Sequence, residues 1–236
     1  MKTVAIVLAA GKGKRMKSDA PKQYLMLKDM PVLCYALKAF EESLVDEIIL
    51  VTGREEIEYC RSQIVEAYGF SKVTQIVEGG KERYHSVYAG LVAVKDADYV
   101  FIHDGARPFV SPQMIQNLFE EVNVHGAVVA GMPVKDTIKL VDENQFVKET
   151  PNRKSVWLVQ TPQVFAYRDI FAAYEKLIDE EVQVTERGIQ VTDDAMVLET
   201  FGGKKVKLVE TGYENIKITT PEDLPVARVF MGILGL

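Results

Sequence analysis

An unbroken apolar run, Val4-Ala5-Ile6-Val7-Leu8, leads straight into Ala9-Ala10-Gly11-Lys12-Gly13-Lys14-Arg15-Met16, and this junction constrains the fold more than any other stretch. Such a run fits a strand buried on both faces, the habit of parallel sheets covered by helices. A glycine loop opening from the end of that strand presents backbone N–H groups and positive charge to a polyphosphate, and Lys22 follows just beyond Pro21. A plain turn with solvated lysines fits the same letters, so the loop alone leaves two readings open.

The remainder of the chain repeats the pattern. Short β-branched runs at residues 3–9, 46–52, 73–77, 99–103 and 127–131 alternate with helical-period segments at 32–42, 55–68, 82–94 and 111–124. This alternation predicts an α/β fold with a mostly parallel sheet and helices on both faces. Ser111-Pro112 supplies an N-cap followed by proline at the first helical position. After Pro133 the period changes, and residues 137–141 and 146–150 alternate around Asp142-Glu143-Asn144-Gln145 as a protruding β-hairpin arm. An isolated hairpin is marginal in water, so the arm calls for a partner surface; a flap folded back on its own domain is the alternative. Helices at 167–180 and 193–201, a strand at 205–210 and a closing helix from Pro221 complete the reading. The expected organisation is a single domain over 1–236, with 134–159 as a β-arm for dimerisation.

Two phosphate motifs are excluded. A dinucleotide fingerprint wants a small residue where Met16 stands, and an acidic residue where Val51-Thr52-Gly53 ends the second strand. No Gly-x-x-x-x-Gly-Lys-Ser/Thr string occurs. A net charge of −6 leaves no basic surplus for a nucleic acid, so local cation clusters point to a small anion instead. Two cysteines, Cys34 and Cys60, and three scattered histidines form no zinc or disulfide framework. With no stretch long enough for a signal core or a membrane span, the expectation is a cytoplasmic protein.

In an open α/β sheet, ligands sit beyond the carboxyl ends of the strands, which gathers the loops after the first, third, fourth and fifth strands into one crevice. After the third come Gly79-Gly80-Lys81-Glu82-Arg83-Tyr84-His85-Ser86, suited either to close ligand approach or to a tight strand-to-helix turn. After the fourth come Asp104-Gly105-Ala106-Arg107, where the carboxylate suits Mg²⁺ or a sugar hydroxyl. Arg107 there either forks an anion or pairs structurally with Asp104.

The strings AAGKGKRM (9–16), PKQY (21–24), GGKERYHSV (79–87), HDGARP (103–108), PVKDT (133–137), QTPQ (160–163), VTDDA (191–195) and NIKIT (215–219) resemble, in order, those of the 2-C-methyl-D-erythritol 4-phosphate cytidylyltransferase family. The resemblance spans nearly the whole chain. It implies a Rossmann-like nucleotidyltransferase fold, a homodimer joined by the β-arm, and CTP plus methylerythritol phosphate as substrates, with Mg²⁺. It further implies that Arg15 and Lys22 act on the triphosphate and the transition state, and that Lys217 is a third cation over the α-phosphate. Ala9, Ala10, Gly11, Gly13, Gly80, Lys81, Arg83 and Ser86 would form the nucleotide site, the cytosine being read by the Ala10 backbone with Gly80, Lys81 and Ser86. Asp104 and Arg107 would face the sugar-phosphate region, with Asp104 touching a Mg²⁺ held mostly by phosphates. Thr137 and Arg153 resemble arm residues that reach a neighbouring subunit's site, Lys154 being the alternative to Arg153; Thr161 and Thr192 resemble supports for the acceptor. Two residues depart from the family pattern: Lys81 stands where aspartate is frequent, and Gly105 where alanine is. The rival activities are transfer to ribitol 5-phosphate and a catalytically silent nucleotide sensor; Gly105-Ala106 and Ala9-Ala10 favour methylerythritol phosphate over ribitol phosphate.

Overall fold

The computed structural model describes residues 1–11, 13, 16 and 21–236. Arg15, expected at the triphosphate, lies outside them, as do Lys12 and Lys14. The first apolar run forms β1 (Thr3–Leu8), and the next three predicted strands form β4 (Glu47–Thr52), β5 (Val73–Glu78) and β6 (Tyr99–Asp104). With β7 (Ala127–Pro133), β10 (Trp157–Ala166) and β11 (Lys207–Glu210) they build a seven-stranded sheet in the order β11-β7-β10-β6-β1-β4-β5. Every neighbouring pair is parallel except those of β10, which runs antiparallel to both β6 and β7. The predicted mostly parallel α/β sheet is therefore what forms.

Helices cover both faces. On one, α1 (Val32–Glu41) and α4 (Pro112–His125) close over a core containing Leu37, Phe40, Leu50, Phe101 and Ile115. On the other, α3 (Arg83–Ala93), α5 (Tyr167–Asp179) and α7 (Asp194–Gly202) bury Ile6, Leu91, Ile102, Phe165 and Tyr174. The start of α4 forms as its letters dictate: Ser111 Oγ accepts the Met114 N–H at 3.1 Å, and Gly126 ends the helix in the left-handed region at φ 73°. Both cysteines are fully buried, and burial pushes the Cys34 thiol up to about 12.

Several elements differ from the sequence expectation. The sequence pattern does not predict the central strand β10, since Pro162 in its middle argues against a ladder strand. The sheet admits it through a register shift between Val159 and Gln163, which spares the missing N–H from the ladder. The helix expected over 55–68 is a short α2 (Ile57–Tyr59) that continues over Cys60–Glu66 as a π-helix. A small hairpin, β2 (Met26–Leu27) and β3 (Met30–Pro31), turns at Lys28 with φ 58°, and α6 (Glu181–Glu186) follows α5 directly. The closing helix, α8 (Asp223–Leu234), starts later than Pro221 because Asp223 accepts the Thr219 and Thr220 N–H groups.

The predicted arm leaves the sheet as expected but pairs over a shorter span, β8 (Leu140–Val141) with β9 (Val147–Glu149). Asp142 Oδ1 accepts the N–H groups of Asn144 and Phe146 and fixes its turn. Phe146, 72% exposed, heads a run of uncovered apolar residues that includes Leu140, Val141, Val147, Leu158 and Val159. Bare apolar surface gathered on a thin element is a common feature of contact surfaces.

Candidate active site

A cleft of about 810 Å³ opens over the carboxyl ends of β1, β4, β5 and β6. Ala9, Ala10, Gly11, Gly13, Lys22, Gly80, Lys81, Arg83, Ser86, Asp104 and Lys217 all line it, so the structure gathers these sequence candidates in one place. The loop after β7 is not part of the lining; the loop after β4, with Gly53 and Arg54, takes its place.

Register explains the convergence. Leu8 pairs with Val51 on one side and Asp104 on the other, so the polar ends of neighbouring strands come level. Beyond them, Gly105 N–H donates to the Leu8 carbonyl at 2.9 Å and Gly79 N–H to the Thr52 carbonyl at 2.8 Å. The paired glycines are required sterically: a Cβ on Gly79 would stand 2.5 Å from Ala10 Cβ and 2.8 Å from Ser86 Oγ. Gly80 N–H donates to Ser86 Oγ at 3.1 Å, which folds the loop back over the start of α3. His85 braces it, accepting the Glu82 N–H at Nδ1 while its Nε2 lies 3.1 Å from Glu181 Oε1. Those two partners place the ring proton on Nε2.

Lys22 sits in a 3₁₀ turn, Lys22–Tyr24, pinned at two points. Gln23 Nε2 donates to the Ala9 carbonyl, and the Tyr24 hydroxyl lies 2.8 Å from Thr52 Oγ1 and donates to Glu56 Oε2 at 3.2 Å. The same Glu56 oxygen accepts the Gly53 N–H at 3.1 Å, tying the turn to the β4 edge of the cleft. The Lys22 stem packs on Gly13, whose Cβ would stand 3.3 Å from Lys22 Cγ.

At the floor stands Asp104, 7% exposed and ringed by cations. Lys217 Nζ lies 2.8 Å from its Oδ2, Arg83 Nε 3.3 Å from its Oδ1, and Arg107 Nε 3.8 Å from Oδ2. Burial pushes the Asp104 carboxyl up, but Arg83, Lys217 and Arg107 together outweigh it and hold the group well below the ordinary carboxylate range. Arg83 spends its other two nitrogens on Asp194, Nη1 to Oδ1 and Nη2 to Oδ2, each at 2.8 Å. Burial works against the Arg83 charge, yet Asp194 and Asp104 raise its pKa well above the usual value.

Other sequence candidates take different places. Arg107 donates from Nη1 to the Asn215 carbonyl at 2.8 Å, across to the segment before α8, and its Nε stands 3.8 Å from Asp104 Oδ2. Thr161, expected near the acceptor, is buried. Its Oγ1 accepts the Asp104 N–H at 3.0 Å and lies 3.1 Å from His103 Nδ1. His103 Nε2 donates to the Arg107 carbonyl at 3.2 Å, so the Thr161 hydroxyl is left to donate to Nδ1, and three bonds lock the loop after β6. Burial lowers the His103 pKa to about 4, keeping the ring neutral there. Thr192 is exposed just ahead of α7 and does not line the cleft. Thr137 and Arg153 are exposed on the arm, where Arg153 Nη1 donates to the Lys135 carbonyl at 2.8 Å. Lys135 Nζ in turn stands 3.4 Å over the Tyr213 ring.

Sequence reasoning assigned no role to Asp194, Tyr174, Gln163 or Asn215, the polar layer behind the cleft. Gln163 Oε1 accepts the N–H groups of Asp194 and Ala195, and Asn215 Nδ2 donates to the Thr161 carbonyl at 2.9 Å. The string VTDDA was the available signal, since paired aspartates at a helix start exceed what one N-cap needs.

A family model described as 2-C-methyl-D-erythritol 4-phosphate cytidylyltransferase matches residues 3–233. A relative of that name from Lachnospira eligens is 52% identical over 96% of this chain and 98% of its own length. Another from Lachnoclostridium phytofermentans is 48% identical, covering 98% and 96%. Among solved structures, the 4-diphosphocytidyl-2C-methyl-D-erythritol synthase of Anaerococcus prevotii superimposes with a TM-score of 0.83 at 34% identity, over 98% of this chain and 96% of its own. The 2-C-methyl-D-erythritol 4-phosphate cytidylyltransferase of Thermus thermophilus gives 0.73 at 27% identity, covering 96% and 98%.

Proposed function

The chain belongs to the 2-C-methyl-D-erythritol 4-phosphate cytidylyltransferase family, and from that membership we propose how its cleft transfers CMP from CTP to methylerythritol phosphate. The reaction releases pyrophosphate and serves the non-mevalonate route to isoprenoids. A phosphate oxygen of the acceptor attacks the α-phosphorus of CTP in line. A new P–O bond forms while the bond to the β-phosphate oxygen breaks, and pyrophosphate leaves with the electron pair. The attacking phosphate is already anionic near neutral pH, so the protein needs no general base. Its task is to hold two anions together and to neutralise the charge that builds between them.

The observation that carries this reading is the Lys217–Asp104 pair at 2.8 Å on the floor of a cleft that Lys22 and Lys81 also line. Lys217 and Lys22 are assigned to the triphosphate, joined by Arg15 on sequence grounds. Ala10, Gly80, Lys81 and Ser86 frame the space for the base, and Asp104 is the carboxylate for the sugar region or for Mg²⁺. Among the described residues no three His, Cys, Asp or Glu side chains gather into a metal cage, and both Asp104 oxygens face cations. Asp104 would be the protein contact for a Mg²⁺ brought to the cleft by the triphosphate. Such an ion would supply charge neutralisation at the phosphate oxygens.

The proposal includes a single domain over 1–236, whose arm, 134–159, joins two copies through its exposed apolar residues and brings Thr137 and Arg153 to a neighbouring cleft. It also includes a cytoplasmic location; among the described residues no helix is long and apolar enough to cross a membrane. Pyrophosphate release from CTP, with each polyol phosphate in turn, tests the activity. Release with methylerythritol phosphate is the expected result. Release with ribitol 5-phosphate alone would move the chain to the sister activity, and release with neither acceptor would leave a nucleotide sensor.

A further inference from the structure

Behind the cleft lies a buried chain of charge that the reaction itself does not call for. Asp194, at the first turn of α7, is fully buried. Its Oδ1 accepts from the Tyr174 hydroxyl as well as from Arg83 Nη1, and its Oδ2 accepts from Arg83 Nη2. A carboxylate that takes both ends of a guanidinium fork fixes the plane as well as the position of that group. The consequence is directional: with Nη1 and Nη2 turned toward Asp194, the Nε–H of Arg83 is the edge left facing Asp104 Oδ1 at 3.3 Å.

Besides Arg107, whose Nε stands 3.8 Å off, Asp104 therefore has two close counter-ions of different kinds. Lys217 meets Oδ2 from a long flexible stem, 35% exposed, and Arg83 meets Oδ1 from a guanidinium anchored at its far side. When a triphosphate draws Lys217 away, Asp104 keeps a charged partner through its other oxygen and need not follow. A released Arg83 would do the opposite. Its fork matches phosphate oxygens in geometry, so it would compete with Lys217 for the triphosphate and hold it out of line.

We propose that Asp194 is a positioning residue of the transfer reaction, acting through Arg83: it withholds the Arg83 fork from the nucleotide and makes Arg83 the fixed counter-ion of Asp104, so that Lys217 can exchange Asp104 for phosphate. The inference rests on the activity proposed above. It also assigns Arg83, a nucleotide-binding candidate by sequence, to the carboxylates rather than to CTP.

The test uses the full-length protein and steady-state kinetics in CTP at saturating methylerythritol phosphate. Asp194→Asn is expected to lower kcat about tenfold or more while the KM for CTP stays level or falls, the signature of a nucleotide bound well but misaligned. In an Arg83→Gln background the same change at Asp194 should cost almost nothing further, since the group it acts through is gone. A folded Asp194→Asn enzyme with wild-type kcat, a rise in KM alone, or an equal loss in the Arg83→Gln background overturns the proposal. Where Asp194→Asn fails to fold, Arg83→Lys decides, because it keeps the charge but cannot make the fork. A tenfold fall in kcat without a rise in KM supports the proposal there, and near-normal kcat ends it. Wild-type protein in parallel separates the two levels: no pyrophosphate from wild type counts against the activity, and an active wild type beside an unchanged variant counts against Asp194.

Discussion

At the scale of single residues, the cleft divides into groups that touch phosphate and groups that hold them in place. Removing the ammonium of Lys22 or Lys217 by alanine is expected to lower turnover about a hundredfold or more, the usual effect of losing one charge-stabilising donor. Near-normal turnover in either variant would withdraw its assignment. His103 makes a different prediction. Its pKa is lowered by burial from 6.5 to about 4, so between those values the unfolded chain takes up a proton that the folded chain refuses. Stability is therefore complete above pH 6.5 and declines by about 3 kcal/mol as pH falls toward 4. Asp104, held low by its cations, adds its own loss as pH falls through the ordinary carboxylate range and on below it. Denaturant unfolding of wild type and His103→Asn at several pH values checks this, the variant showing a shallower slope over the histidine window. Asp104 was legible in the sequence because an apolar run ended in a carboxylate before glycine. Asp194 was not, because 111 residues separate it from Arg83 and only the placing of α3 and α7 on one sheet face brings them together.

At the scale of elements, the parallel units were readable because each strand and helix carried its own period. The exception is β10, whose Pro162 disqualified it locally while the register shift beside it made the residue harmless. Local rules price each residue in isolation, and this strand is assembled from two partners it meets only after folding. The packing of α3 shows the opposite case, a local detail with global force. A Cβ on Gly90 would collide with Ile6 Cγ2 and come within 3.1 Å of Val51 Cγ2, so the helix lies on the sheet only because that position is bare. Gly90→Ala is expected to cost about 1–3 kcal/mol by overpacking. For a chain of this size that lowers Tm by about 3–10 °C in a calorimetric scan. An unchanged Tm would mean that α3 shifts without penalty.

At the scale of the whole molecule, the arm and the cleft share one piece of chain. The strand β10 begins at the arm's root with Trp157 and reaches the floor of the site at Thr161 and Gln163. Lys135 and Tyr213 clamp the same root from the segment that leads to Lys217. If the arm joins two copies as proposed, the intact chain is expected to sediment as a dimer and a chain lacking residues 138–150 as a monomer in sedimentation velocity. Activity should fall with it, since Thr137 and Arg153 lose the neighbouring cleft. A shortened chain that still sediments as a dimer would place the interface elsewhere. The arm's existence was legible from its change of period, and its exposed face from its alternation. The clamp at its root was not, because a lysine over a tyrosine ring carries no periodic signal.

The two sealed thiols have a use that their burial creates. Cys34 and Cys60 are both fully inaccessible, and burial holds both thiols high, so neither offers a thiolate to a reagent in solution. The folded protein is in effect a thiol-free surface. A single cysteine placed at the arm's tip, by Asn144→Cys, would be the one reactive handle per chain, and a spin label or dye pair attached there would report directly how far apart two arms lie in solution.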